Sequence, residues 1–130
     1  MRVLVVEDDP SIRRGLEMAL EKDGHTVVQA STVPQAARMM TAECPDAVLL
    51  DIHLGAAEMS GIDLARMMKD DPVWRAIPVV VLSAMPAAEI RERASSYAFE
   101  GLRTVVLPKP FDVGVLLETL STVARSLPSC

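Results

Sequence analysis

The sequence begins with the stretch Val3-Leu4-Val5-Val6-Glu7-Asp8-Asp9-Pro10, in which four apolar residues run directly into three acids and a proline. A short valine- and leucine-rich run that stops at charged residues is typical of a strand buried on both faces. Asp9 before Pro10 predicts the start of a helix, because Asp is a favoured N-cap and Pro is favoured at the first helical position. The stretch therefore predicts a buried strand that leads through an acidic turn into a helix.

The same succession of apolar run and helical periodicity repeats along all 130 residues. Further strands are predicted at residues 26–30, 47–50, 77–82 and 105–107. Helices are predicted from the stripe Ile12, Leu16, Ala19 and Leu20, after a capping box of Thr32 and Gln35, from about 62 to 69, from Pro86, and from Val113 to Leu127. Five strands that alternate with five helices predict a single (βα)5 domain, with a parallel sheet covered on both faces.

Composition excludes several classes of function. A net charge of −5 and 3% aromatic residues argue against nucleic-acid binding, which needs a basic face or a stacking surface. No apolar run approaches the roughly 18 residues needed to span a bilayer, so we expect no membrane insertion. Cys44 and Cys130 have neither a metal-ligand spacing nor a disulfide framework, and we expect free thiols in a cytoplasmic protein.

Polar residues follow four of the predicted strands, at the ends where parallel sheets bind their ligands. Glu7 and Asp8 follow the first strand, Asp51 the third, Ser83 the fourth and Lys109 the fifth. Each of these residues, taken alone, could be an ordinary turn or surface residue. Together, three carboxylates at one sheet edge would repel one another unless a cation intervenes, and Mg²⁺ prefers carboxylate and carbonyl oxygen. The pattern therefore favours a site for a hard divalent cation.

Four stretches together resemble the receiver domain of bacterial two-component response regulators. They are residues 5–10, 49–51, 81–84 and 107–111, which read VVEDDP, LLD, VLSA and LPKPF. The resemblance covers essentially the whole chain, with 1–127 as the receiver domain and 128–130 as a tail. It implies a flavodoxin-like doubly wound sheet with strand order 2-1-3-4-5, and a site where strands 1 and 3 meet.

The resemblance also implies a role for each acid. Asp51 would be the phosphoacceptor, while Glu7 and Asp8 would hold Mg²⁺ together with Asp51. The backbone carbonyl of His53, two residues beyond the phosphoacceptor, would complete the metal site. Asp9 is interpreted mainly as the cap of the first helix.

Two further residues receive roles in the same way. Ser83 would donate a hydrogen bond to the phosphoryl group, and Lys109 would pair with its charge before a cis peptide bond to Pro110. The phosphodonor would be a sensor histidine kinase or a phosphotransfer protein, and the signal would pass to a downstream protein or to an output domain outside these residues. The domain would assist its own phosphorylation and dephosphorylation only, and would not act as an enzyme on a separate substrate.

The sequence departs from the common receiver pattern at four places. The loop 51–61 is about two residues longer than usual and carries Gly55 where Pro is typical. Val106 stands where many receivers have a switching aromatic residue, and Met85 where they often have a polar one. The segment 101–109 is one residue longer. These departures bear on switching and phosphoryl lifetime, and they leave the central residues in place.

Three rival functions are weighed against this interpretation. A flavodoxin-like electron carrier needs a phosphate-binding loop after the first strand, where the acids of this chain would repel a phosphate. A phosphatase with an aspartyl intermediate usually carries a second Asp at the position of His53. A degenerate receiver that serves only as a binding module would not need Asp51, Ser83 and Lys109 together.

Overall fold

Five parallel strands form one sheet in a computed structural model of the protein, which describes residues 1–51, 61–83, 102–108 and 112–124. The strands are β1 (Arg2–Val6), β2 (Thr26–Ala30), β3 (Ala47–Asp51), β4 (Val79–Ser83) and β5 (Thr104–Pro108), and their order is β2-β1-β3-β4-β5. This confirms the flavodoxin-like order, and it leaves β2 and β5 at the two edges.

Four helices accompany the strands in the described ranges: α1 (Pro10–Lys22), α2 (Val33–Glu43), α3 (Gly61–Lys69) and α4 (Val113–Ala124). A short 3₁₀ turn (Trp74–Ala76) precedes β4. The helix predicted from Pro86 and the last residues of the final helix lie outside the described residues. Within the described ranges, no helix has both the length and the apolar character needed to cross a membrane.

The central strand β3 is buried along its whole length, so its successive side chains enter two different cores. Leu50 belongs to a cluster on the side of α2 and α3, which includes Met40, Leu64 and Met68. Leu49 belongs to a cluster on the side of α1 and α4, which includes Leu16, Leu20, Leu116 and Leu120. Both faces of the sheet are therefore covered, as the alternation of elements predicted.

Helix α1 begins as predicted, but its buried face is shorter than the predicted apolar stripe. The Asp9 carboxylate accepts hydrogen bonds from the backbone N–H groups of Ser11 (2.8 Å) and Ile12 (3.3 Å), which confirms the N-cap. Leu16 and Leu20 are buried, whereas Ile12 is 39% exposed. Each four-residue step turns about 40° around a helix, so Ile12 lies about 80° from Leu20 and leaves the buried face.

The first residue of α4 lies outside the core. Leu116 and Leu120 are buried, but Val113 is 47% exposed. Helical side chains tilt towards the N-terminus, so the side chain of the first residue projects past the helix start instead of over the sheet.

Helix α2 carries two local features that the sequence indicated only in part. The Thr32 hydroxyl accepts from the Gln35 N–H at 3.3 Å, but the Gln35 side chain accepts from the Ser31 N–H at 2.9 Å instead of returning to Thr32. The helix ends at Cys44, whose φ of 41° is left-handed. Cys44 is disulfide-bonded, which corrects the expectation of free thiols. Sequence spacing does not report proximity in space, and the only other cysteine, Cys130, lies outside the described residues.

One buried hydroxyl offers a test of the packing around β5. The Thr104 side-chain oxygen is buried and has no hydrogen-bond partner. Among the side-chain N and O atoms in the part of the chain that is described, it is the only one that combines both properties. An unpaired buried hydroxyl costs about 1–3 kcal/mol, and valine has nearly the same shape as threonine.

We expect Thr104→Val to raise the free energy of unfolding by about 1 kcal/mol in urea denaturation, because it removes the unpaired hydroxyl. Thr26→Val is the control, because Thr26 also begins a strand but is exposed, and we expect it to change stability by less than about 0.5 kcal/mol. A less stable Thr104→Val protein would contradict this account.

Candidate functional site

Three carboxylates meet at the carboxyl edge of the sheet. Glu7, Asp8 and Asp51 each offer an oxygen, and these oxygens lie within 4.8 Å of one another. Glu7 is 1% exposed and Asp51 is 4% exposed, while Asp8 reaches solvent. Among the residues that the structure describes, they alone form a group of acids, histidines or cysteines close enough to share a metal ion.

The sheet itself brings these residues together. β1 and β3 are neighbours, and Val6 pairs with Leu50 in parallel register. Glu7 is the next residue after β1, and Asp51 is the last residue of β3. Because parallel strands end at the same edge, the two acids that follow this pair must lie side by side. The predicted convergence of Glu7, Asp8 and Asp51 is therefore confirmed.

The turn that carries Glu7 and Asp8 is held from several sides. The Glu7 N–H donates to the Ala30 carbonyl at 3.0 Å, which continues the pairing of β1 with β2. One Glu7 carboxylate oxygen accepts from the Asp9 N–H at 3.2 Å. The Glu7 carbonyl accepts from Nη1 of Arg13 at 2.9 Å. These bonds fix both the backbone and the side chain of the first acid.

Arg13 was not singled out from the sequence. The available signal was the position of Arg13, four residues after the N-cap Asp9. This spacing places Arg13 one helical turn into α1, on the side of the helix that lies over the acidic turn of Glu7 and Asp8. A search for apolar periodicity passes over such a residue, because a charged side chain in a helix usually marks the solvent face. Asp9 itself is exposed and its carboxylate caps the helix, as expected, so it stays outside the group of three.

The remaining predicted site residues lie partly or wholly outside the described residues. Ser83 ends β4, one residue after the partner of Asp51, and its backbone pairs with Pro108 at the end of β5. Lys109 comes directly after Pro108 but is itself outside the described residues, as is its peptide bond to Pro110. His53, Gly55 and Met85 are also outside them. The strand register thus places Ser83 and Pro108 at the carboxyl edge of the sheet, where the site is expected.

Val106 lies within the described part of β5. It pairs with Val81 and is half-buried against the cluster on the side of α2 and α3. A β-branched side chain in a strand has few rotamers, and this one has no ring that could swing between surface and core.

The donor set of the acidic group suits one class of cation. All three ligands are carboxylate oxygens, two of them buried and one open to solvent. Hard divalent cations such as Mg²⁺ bind oxygen and keep several waters, whereas Zn²⁺ and Cu²⁺ favour sulfur or imidazole nitrogen. The residues present therefore fit Mg²⁺.

Comparison with known proteins gives one consistent family. The family model of the response regulator receiver domain matches residues 3–121. The KDP operon transcriptional regulatory protein KdpE of Escherichia coli is 36% identical over 123 residues, which cover 95% of this chain and 51% of KdpE. The chain thus spans about half the length of that relative.

Two solved structures extend the similarity to the fold. A sensor protein from Polaromonas superposes with a TM-score of 0.83 and 28% identity, over 98% of both chains. The receiver domain of the sensor histidine kinase PA1611 from Pseudomonas aeruginosa superposes with a TM-score of 0.82 and 27% identity, over 96% of this chain and 98% of that one. The latter structure has a magnesium ion coordinated in its active site cleft.

Proposed function

The chain belongs to the response regulator receiver family, and we propose that it carries its signal as a phosphoryl group on Asp51. The observation that supports this most directly is the meeting of Glu7, Asp8 and Asp51 within 4.8 Å at the edge where β1 and β3 end. Receiver domains belong to signal transduction, which supports a regulatory role for this domain.

We assign Glu7, Asp8 and Asp51 to a Mg²⁺ site, as in the related receiver domain whose cleft coordinates magnesium. When bound, Mg²⁺ supplies positive charge that offsets the repulsion between a carboxylate and phosphoryl oxygens. The burial of Glu7 and Asp51 keeps competing water away from their oxygens, while the open side at Asp8 admits the cation with its waters. The backbone carbonyl of His53 is proposed as a further ligand, on the basis of the family resemblance.

The phosphoryl transfer is proposed to run through Asp51. One oxygen of its carboxylate forms the new P–O bond while the P–N bond of a donor phosphohistidine breaks. The imidazole leaves with the electron pair and takes up a proton from solvent. In deactivation, a water oxygen bonds to phosphorus while the P–O bond to Asp51 breaks, so that the carboxylate is restored, inorganic phosphate leaves and a water proton passes to the phosphate or to solvent. The domain thus assists its own phosphorylation and dephosphorylation.

Ser83 and Lys109 are proposed to stabilise the transferred group. The Ser83 hydroxyl would donate a hydrogen bond to a phosphoryl oxygen, and the Lys109 ammonium would pair with its charge. Their positions in the chain support this, because Ser83 follows the strand partner of Asp51 and Lys109 follows the strand partner of Ser83.

The proposed partners follow from the same chemistry. The phosphodonor is a sensor histidine kinase or a phosphotransfer protein, which meets the receiver in the cytoplasm. The output is a separate protein or a domain beyond these residues, since the chain spans about half of the transcriptional regulator KdpE. With a net charge of −5, this domain itself is not proposed to contact nucleic acid.

The first prediction concerns the phosphoacceptor. With Mg²⁺ and acetyl phosphate, we expect intact-mass spectrometry to show one added phosphoryl group on the wild type and none on Asp51→Asn. The amide lacks the anionic oxygen that attacks phosphorus, and it is nearly the same size as the carboxylate. Equal labelling of both proteins would refute the assignment of Asp51, and no labelling of either would favour the degenerate receiver.

The second prediction divides the work of two adjacent acids. We expect Asp8→Asn to weaken Mg²⁺ binding more than tenfold, because it removes a charged ligand of the group. Asp9→Asn serves as the matched control and should bind Mg²⁺ almost as the wild type does, since Asn caps a helix as well as Asp. The measurement is displacement of bound Mn²⁺ by Mg²⁺, followed by electron paramagnetic resonance. Equal losses in the two variants would overturn the division.

The third prediction concerns the route of the signal. Because Val106 has no ring to rotate, we expect phosphorylation to move residues 83–85 and the start of the helix predicted from Pro86, while Val106 keeps one rotamer. Methyl NMR with and without beryllofluoride can follow this, with Val105 on the opposite face of β5 as the reference. A rotamer change at Val106 with residues 83–85 unmoved would contradict the prediction.

A further inference from the structure

Arg13 bridges the acidic turn and the neighbouring edge strand. It is half-buried in the second turn of α1. Its Nη1 donates to the Glu7 carbonyl at 2.9 Å, and its Nε donates to the side-chain oxygen of Gln29 at 3.0 Å. Gln29 belongs to β2, so a single guanidinium ties the acidic turn to a strand that contributes no carboxylate to the site.

Gln29 is held in turn, so that its oxygen faces Arg13. Its amide nitrogen donates to the carboxylate of Glu17, one turn further along α1. An amide that donates on one side must present its oxygen on the other. Glu17, Gln29 and Arg13 thus form a chain of hydrogen bonds that ends at the Glu7 carbonyl. The planar guanidinium suits the last link, because its donors have a fixed relative orientation that a lysine ammonium lacks.

We propose that Arg13 is a positioning residue for the cation site, acting through the Glu7 carbonyl and aimed by Gln29. The inference rests on the proposed Mg²⁺ site. The Glu7 N–H donates to the Ala30 carbonyl, and the Glu7 carbonyl accepts from Arg13. Both backbone polar groups of Glu7 are therefore held in place. The carboxylates of Glu7 and Asp8 are then held near Asp51 before a cation arrives, so that binding requires little ordering of the turn.

A simpler role for Arg13 makes the opposite prediction. If its positive charge were all that mattered, Arg13 would repel Mg²⁺, and its removal would tighten binding. If it positions the turn, its removal should weaken binding despite the loss of that repulsion. The direction of the change in Mg²⁺ affinity therefore separates the two roles.

The variants can be chosen so that the fold is little disturbed. Arg13 and Gln29 line an open pocket of about 220 Å³ with Ala30, Ser31 and Gln35. A shorter side chain there becomes hydrated instead of leaving a dry cavity. Arg13→Gln and Arg13→Lys remove the bridge, and Gln29→Met removes the acceptor that aims Arg13 while keeping the positive charge. Arg14→Gln is the control, because exposed Arg14 lies next in the same helix and its replacement changes the net charge equally.

The experiment measures the dissociation constant of Mg²⁺ by competition with Mn²⁺ in electron paramagnetic resonance, at fixed ionic strength, on the whole chain. Thermal unfolding of each variant shows that the measured protein is folded.

We expect Arg13→Gln to bind Mg²⁺ about tenfold more weakly than the wild type, which is the range found when hydrogen-bond partners of metal ligands are removed. Arg13→Lys and Gln29→Met should weaken binding severalfold, and Arg14→Gln should stay within twofold of wild type. The double variant Arg13→Gln/Gln29→Met should be no weaker than Arg13→Gln, because both changes break one chain of bonds.

Two results would overturn the inference alone: binding by Arg13→Gln that equals or exceeds that of the wild type, or binding by Gln29→Met that is unchanged. Absence of Mg²⁺ binding by the wild type would instead overturn the proposed cation site, and the positioning role with it.

Discussion

Glu7 and Asp51 place two carboxylates in a nearly dry position with oxygens no more than 4.8 Å apart. When both are ionised, they repel by about 3 kcal/mol at an effective dielectric constant near 20. Asp8 adds a third negative charge at the open side of the group. The fold has to hold these groups against their own repulsion, and the proposed cation site depends on its doing so.

The burial of β1 and β3 is large enough to do this. Val3 to Val6 and Ala47 to Leu50 are fully buried. Burying one valine or leucine side chain contributes about 1.5–3 kcal/mol, so the apolar residues of the two strands outweigh a repulsion of a few kcal/mol several times over. The backbone pairing of Val6 with Leu50 then sets where the acids fall, because they follow directly in sequence. The charges are thus forced together by strands that cannot shift without exposing their leucines and valines.

The sequence predicted the parts of the structure that repeat. The alternation of apolar runs and helical stripes gave the layered sheet, and Asp9 before Pro10 gave a helix start that the structure confirms. The strand order came from the resemblance to receivers, since periodicity does not say which strands are neighbours. Polar side chains that meet across elements were not predictable in this way. Arg13 and Gln29 lie on different elements, and nothing in their local sequence shows that they meet.

Asp51 is the last residue of β3, and it is paired with Leu82 in the strand ladder. The proposed phosphoacceptor is therefore anchored by residues that precede it. In sequence, the two additional residues expected from the receiver pattern in the segment 51–61 come after this anchor. Insertions at this point can remodel what a partner protein encounters while the acceptor stays in register with β4. Under the proposed function, partner choice could change along the chain without altering the chemistry, with the last residue of β3 as the boundary.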